Sequence, residues 1–125
     1  YAYTRSVNYG DPLVWGDHSY GKQLVFIPLH SGNVTLHLSY RGFYITYLYN
    51  AYSERFTTSS NNLSRRYRLP HYFMNNLTAG WNFRAKRLHL STEMRIYNLF
   101  NESYHSLLNR PMPGRNYNLV FMIKI

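Results

Sequence analysis

Polar and apolar side chains alternate without a break over residues 33–41, NVTLHLSYR. Val34, Leu36, Leu38 and Tyr40 fall on one side of an extended chain, and Asn33, Thr35, His37 and Ser39 on the other. That period of two is the signature of a β-strand with two different surroundings. The same pattern recurs in FYITYLYNAYS at 43–53, with Phe43, Ile45, Tyr47, Tyr49 and Ala51 on one face. In the segment from about His71 to Phe83, Phe73, Leu77, Ala79, Trp81 and Phe83 oppose Met74, Asn76, Thr78, Gly80 and Asn82. In LHLSTEMRIYN at 88–98, Leu88, Leu90, Thr92, Met94 and Ile96 oppose His89, Ser91, Glu93, Arg95 and Tyr97. The final segment sets Tyr117, Leu119, Phe121, Ile123 and Ile125 against Asn116, Asn118, Val120, Met122 and Lys124. YAYTRSV at 1–7 reads as the tail of a further strand, which makes about six.

The connections differ sharply in length. Long polar stretches at 8–32, 54–70 and 99–114 alternate with tight turns at Arg41-Gly42 and Arg84-Ala85-Lys86-Arg87. In an antiparallel up-and-down meander, alternate connections leave at opposite ends, so every long loop belongs to one rim. Transmembrane β-barrels have this asymmetry, and strands of about nine to eleven residues suit a tilted crossing. Tyr40, Phe43, Tyr49, Trp81 and Phe83 fall near strand ends, where girdle aromatics sit. A soluble β-sandwich or a lipocalin-like barrel also alternates. However, the mixed face carries Glu93, Arg95, His37, His89, Asn116 and Lys124, which suits a hydrated lumen better than a dry core. The pattern therefore favours an all-β membrane barrel. Known membrane barrels start at about eight strands, and open sheet edges are not tolerated in lipid. The expectation is a piece of a larger barrel.

Composition sharpens this picture. The 125 residues include 14 tyrosines, and aromatics make up 18% of the chain, which favours strands. No apolar run approaches the roughly 20 residues of a membrane-spanning helix. Lys and Arg number 14 against 5 Asp and Glu, a balance that fits nucleic acid or an anionic membrane surface. The basic residues lie in separate turns, Arg65-Arg66 with Arg68, Arg84 with Lys86-Arg87, and Arg110 with Arg115, so a nucleic-acid partner is not expected. The chain has no cysteine, which excludes disulfides and thiolate metal sites within it.

Three segments carry a family resemblance: GKQLVFIPLHSGNVTLHLSY at 21–40, MRIYNLFNESYHSL at 94–107 and PMPGRNYNLVFMIKI at 111–125. The chain resembles the C-terminal end of TonB-dependent outer-membrane receptors. The residues that match the family's motifs are Pro28 and His30, then Asn98, Leu99, Phe100 and Tyr104, then Pro113, Gly114 and Arg115. The resemblance implies a transmembrane β-barrel of about 22 strands around an N-terminal plug. It implies a bacterial outer-membrane location and uptake of a scarce nutrient such as a ferric siderophore, haem or cobalamin, driven through TonB. This chain would hold about strands 17 to 22 and three extracellular loops. The plug and the TonB-contacting segment would lie outside it, so its partners would be the rest of the barrel, the plug, outer-membrane lipid and a small nutrient. The family's last residue is usually Phe, and here it is Ile125.

The candidate chemistry is sparse. Asp11, Asp17, Glu54, Glu93 and Glu102 form no pair at a spacing suited to acid–base work, and no nucleophile or phosphate-loop motif occurs. An enzyme is not expected. His18, His30, His71 and His105 fall in or beside loops, and His37 and His89 on the lumen face, without the spacing of a zinc set, so neither a metal nor a cofactor is expected. FRAKR at 83–87 matches the start of a haem-receptor motif, but it lies on a short turn and is set aside. His37, His89, Glu93 and Arg95 are candidates for facing the lumen and plug; a simple ion pair is the plainer reading of Glu93 and Arg95. Trp15, Tyr20, Phe56, Tyr67 and Tyr104, with Arg65, Arg66, Arg68 and Arg110, are candidates for a surface that takes an anionic or aromatic ligand. Ordinary loop packing is the alternative. At the level of function, the alternatives are a small passive porin-like barrel and a soluble basic β-domain that binds polyanions.

Overall fold

The computed structural model describes residues 1–10, 18–86 and 88–124. Asp11, Trp15, Asp17, Arg87 and Ile125, named above, lie outside the described residues. The strands in chain order are β1 (Ala2–Tyr3), β2 (His30–Tyr40), β3 (Phe43–Tyr52), β4 (Arg55–Phe56), β5 (Arg68–Leu69), β6 (Tyr72–Ala85), β7 (Leu88–Tyr97), β8 (His105–Leu107), β9 (Arg110–Pro111) and β10 (Asn116–Lys124). One 3-10 turn, Arg65–Tyr67, lies between β4 and β5. The main sheet has six strands in the order β1-β2-β3-β6-β7-β10, and it is open at β1 and β10. Two small ribbons, β4–β5 and β8–β9, are built inside the long connections.

The expected meander is thus present, with adjusted bounds. β6 runs to Ala85, which pairs with Leu88, so Arg84 and Ala85, expected in the turn, belong to the strand instead. Lys86 takes a left-handed φ of 48°, as Arg41 does at 47° in the other tight turn. The first strand shrinks to two residues. Beyond them the pairing continues irregularly: the Thr4 amide donates to the Leu29 carbonyl at 2.8 Å, Leu24 to Ser6 at 2.7 Å and Asn8 to Lys22 at 2.9 Å.

The chain separates into two compact units. One holds 33–50, 73–102 and 113–125, which is most of the sheet. Its register sorts side chains into rows. Ala79, Met94 and Leu119 form one row, Trp81, Thr92 and Phe121 the next, and Phe83, Leu90 and Ile123 a third, all on one face. The rows between them are Thr78–Arg95–Asn118, Gly80–Glu93–Val120, Asn82–Ser91–Met122 and Arg84–His89–Lys124. The apolar face is uncovered: Leu38 is 74% exposed, Phe121 68% and Ile123 68%. Cross-strand ring contacts hold it together laterally, with Phe43 stacked on Trp81 at 5.4 Å and Tyr49 on Phe73 at 6.0 Å.

The other unit holds 1–32, 51–72 and 103–112. It contains Leu69, the single buried hydrophobic residue among the described residues, at 3% exposure. Its cohesion comes mainly from polar clamps. Asn61 spans 38 residues to grip Gln23 twice, accepting from its amide at 2.7 Å and donating to its carbonyl at 2.8 Å. The buried Gln23 side chain in turn binds the Ser6 amide at 3.0 Å and the Thr4 carbonyl at 3.2 Å.

Candidate functional site

The polar face of the sheet unit carries a connected network. Tyr44 donates its hydroxyl to Glu93 from two strands away. Arg95 holds the other Glu93 oxygen, its Nε and a terminal nitrogen both at 2.5 Å. His37 shares a 2.8 Å hydrogen bond with Thr46, and its ring lies 6.1 Å from that of Tyr44. Farther along, Ser91 donates to Asn82 at 2.8 Å and Arg84 to the His89 ring at 3.1 Å. All four lumen candidates, His37, His89, Glu93 and Arg95, therefore sit on the face opposite the greasy rows. Glu93 and Arg95 pair with each other, and Tyr44, which sequence reasoning left out, joins them. The alternation did point to it, since position 44 falls on the polar side of β3. Asn75 is the reverse case: a polar residue at an apolar-face position, nearly buried, with its side-chain oxygen taken up by the Tyr47 hydroxyl.

The same unit brings two of the family-motif segments together. Asn98 is 2% exposed and takes a left-handed φ of 54°. Its side-chain oxygen accepts from the Glu102 amide at 2.7 Å and its side-chain nitrogen donates to the Glu102 carbonyl at 2.9 Å. Its own amide donates to the Asn76 side chain at 3.0 Å. Asn101, also left-handed, accepts from the Arg115 amide at 2.8 Å. A side chain at Gly114 would press on the same Asn101 oxygen at 2.8 Å. Asn98, Pro113, Gly114 and Arg115 thus form a joint that starts β10, with the Asn98 side-chain nitrogen also donating to the Pro113 carbonyl at 3.5 Å. Leu99 donates its amide to Asn75 at 2.7 Å, and Phe100 stays 68% exposed.

In the loop unit, the main feature is Arg55, which the sequence reading did not single out. It is 4% exposed, and its terminal nitrogen donates to the His105 carbonyl at 3.0 Å and the Pro70 carbonyl at 3.3 Å. The guanidinium lies 4.7 Å over the Tyr72 ring, and Tyr72 is flanked by Tyr52 at 5.0 Å and Tyr104 at 4.8 Å. Burial pulls the Arg55 pKa below its usual value, with Tyr72 opposing that drop. The adjacent Glu54 turns instead to Arg68, at 2.6 Å. A cavity of about 290 Å³ lies against Arg55, Arg68, Phe56 and His30, and another of about 380 Å³ against Arg65, Arg68 and His71.

Of the loop candidates, Phe56 and Arg68 face each other in the β4–β5 ribbon, and Tyr67 accepts the Thr57 amide at 3.0 Å. Arg65 and Arg66 stand exposed on the 3-10 turn. Tyr104 joins the Arg55–Tyr72 stack instead. Arg110 belongs to the β8–β9 ribbon, and Tyr20 packs edge-on to Tyr9 at 6.3 Å. His30 opens β2, where Tyr1 hydrogen-bonds its ring at 2.7 Å and Ser53 exchanges hydrogen bonds with its backbone. Pro28 stands half-buried two residues earlier. Among the described residues, no group of three or more His, Cys, Asp or Glu side chains is placed to hold a metal ion.

No protein-family model matches this chain, and no curated protein matches it. Solved structures do match. One is the crystal structure of BauA, the ferric preacinetobactin receptor from Acinetobacter baumannii, at 18% identity over 88% of this chain, with a TM-score of 0.70. The chain spans only 17% of that protein's length. At this identity the likeness establishes the fold, which is the receptor's all-β architecture over the matched part.

Proposed function

We propose that this chain forms part of the wall and external loops of a TonB-dependent outer-membrane receptor that takes up a scarce nutrient. The observation that carries the reading is the two-faced single-layer sheet, with uncovered rows such as Leu119–Met94–Ala79 on one side and the Tyr44–Glu93–Arg95 network on the other. A soluble protein would bury that apolar face against a second layer. A barrel wall turns it to lipid and its polar face to a hydrated interior. The fold likeness to a ferric preacinetobactin receptor adds support and favours iron carried as a small-molecule complex over haem or cobalamin.

In this reading the complete barrel has about 22 strands closed around a plug, and the apolar rows meet outer-membrane lipid. Ligand is captured at the loops, the plug rearranges with energy from TonB, and the ligand passes through. This segment supplies wall and loops, performs no chemistry and holds no cofactor. A passive porin-like barrel shares the wall but needs no energy source. The test is uptake of radiolabelled ferric siderophores by cells with and without the complete polypeptide. Uptake that requires both the polypeptide and TonB supports the reading; uptake or conductance independent of TonB moves the passive barrel ahead.

A further inference from the structure

At the turn end of the polar face, two cations flank a histidine. Arg84, His89 and Lys124 are register partners across β6, β7 and β10. Neighbouring strands lie about 4.8 Å apart, so the three side chains stand side by side on one face. A cavity of about 460 Å³ lies against them, bordered also by Asn82, Ser91 and Met122. No carboxylate lines it among the described residues. The nearest acid along β7, Glu93, is four residues up the strand and is already held by Arg95.

The hydrogen bonding makes the row a set of donors. Arg84 Nε can only donate, so the His89 Nδ1 that receives it at 3.1 Å is an acceptor. The proton of a neutral His89 ring is therefore on Nε2, away from Arg84. That leaves the terminal guanidinium nitrogens of Arg84, the Nε2–H of His89 and the ammonium of Lys124. A short ring stands in the middle, with one long flexible cation on either side. The Asn82–Ser91 pair closes the next row.

We propose that Arg84, His89 and Lys124 form a phosphate-binding site. A planar carboxylate is satisfied by a guanidinium fork alone. A tetrahedral phosphate presents oxygens in three directions, which matches donors supplied to one cavity by three adjacent strands. The ligand is a phosphate group, either free or on a lipid headgroup. The site stands independently of which nutrient the barrel carries, and of whether it carries one.

The test uses the complete natural polypeptide that carries these residues, purified in a phosphate-free detergent. One arm titrates inorganic phosphate; the other titrates micelles doped with phosphatidic acid. The comparison protein is the Arg84→Gln/Lys124→Gln double variant. Both side chains are exposed, and unchanged circular dichroism verifies its fold. Saturable binding of inorganic phosphate that weakens by at least about tenfold in the double variant supports the site with free phosphate as sufficient ligand. Binding confined to the phosphatidic acid arm, and lost in the double variant, supports it with lipid as the source. The Arg84→Lys/Lys124→Arg variant is expected to retain most of the affinity. No binding in either arm, or binding that survives in the double variant, overturns the proposal.

Discussion

The Tyr44 ring lies over Gly80, in the space that a side chain at position 80 would fill. Position 80 is directly opposite Glu93 in the β6–β7 ladder, and the same Tyr44 donates its hydroxyl to Glu93. The missing Cβ therefore lets an aromatic ring cross β6 and reach a carboxylate on β7. Gly80→Ala is expected to displace the ring, break the Tyr44–Glu93 bond and lower unfolding stability by about 1–3 kcal/mol. Gly32→Ala, where nothing stands within 4 Å of the new carbon, is the matched control and is expected to be near neutral. Urea unfolding of both variants in lipid or detergent makes the comparison.

Asn98 serves through its side chain and its backbone at once, and two substitutions separate the contributions. Asn98→Gly keeps the left-handed φ and loses both hydrogen bonds to Glu102. Asn98→Ala loses the bonds and also strains the backbone, so it is expected to be about 1 kcal/mol worse than Asn98→Gly. Equal losses in the same unfolding assay would mean that the left-handed backbone adds nothing.

Arg55 ties residues 53–56 to Pro70 and His105 through backbone carbonyls. Arg55→Lys keeps the charge but shortens the reach and removes the flat face that lies on Tyr72. Arg55→Lys and Arg55→Ala are both expected to raise protease cleavage within 53–71 and 103–112, Ala more strongly. Cleavage within β7 should stay at the wild-type level. Mass mapping of limited proteolysis reads both.

The two faces of β10 are expected to answer differently to one added charge. Leu119→Arg places a guanidinium in the row of Met94 and Ala79, on the apolar face, and is expected to cost about 2–4 kcal/mol if that face meets lipid. Val120→Arg lands opposite Glu93 and is expected to be tolerated. The yield of heat-modifiable protein in the outer-membrane fraction checks both.

The five long strands were legible because a period of two survives wherever two faces meet different surroundings. Val34 to Tyr40 and Tyr117 to Ile123 need no tertiary knowledge to sort. The bounds moved by only one to three residues, as in β6, where Ala85 keeps its ladder partner Leu88. The loop unit was not legible in the same way. It rests on single long-range clamps, Asn61 on Gln23 and Arg55 on His105, which are 38 and 50 residues apart and have no period. Arg55 in particular has no local mark that separates it from the exposed Arg65 and Arg66. Asn98 and Asn101, both within the 94–107 segment that carries the resemblance, lie between these cases: their place in the chain was visible, but their left-handed backbones and the contacts of Asn101 with Gly114 and Arg115 were not.

The most direct test of the barrel-wall assignment is nitroxide scanning along β10 in the native membrane. The chain has no cysteine of its own to compete with the label. Single cysteines at Asn118, Leu119, Val120 and Phe121 would be spin-labelled and exposed in turn to oxygen, which partitions into lipid, and to a water-soluble nickel complex. The expected result is a period of two, with 119 and 121 relaxed by oxygen and 118 and 120 by nickel. Nickel access at all four positions, or no alternation, would contradict a lipid-facing wall and return the sheet to a soluble setting.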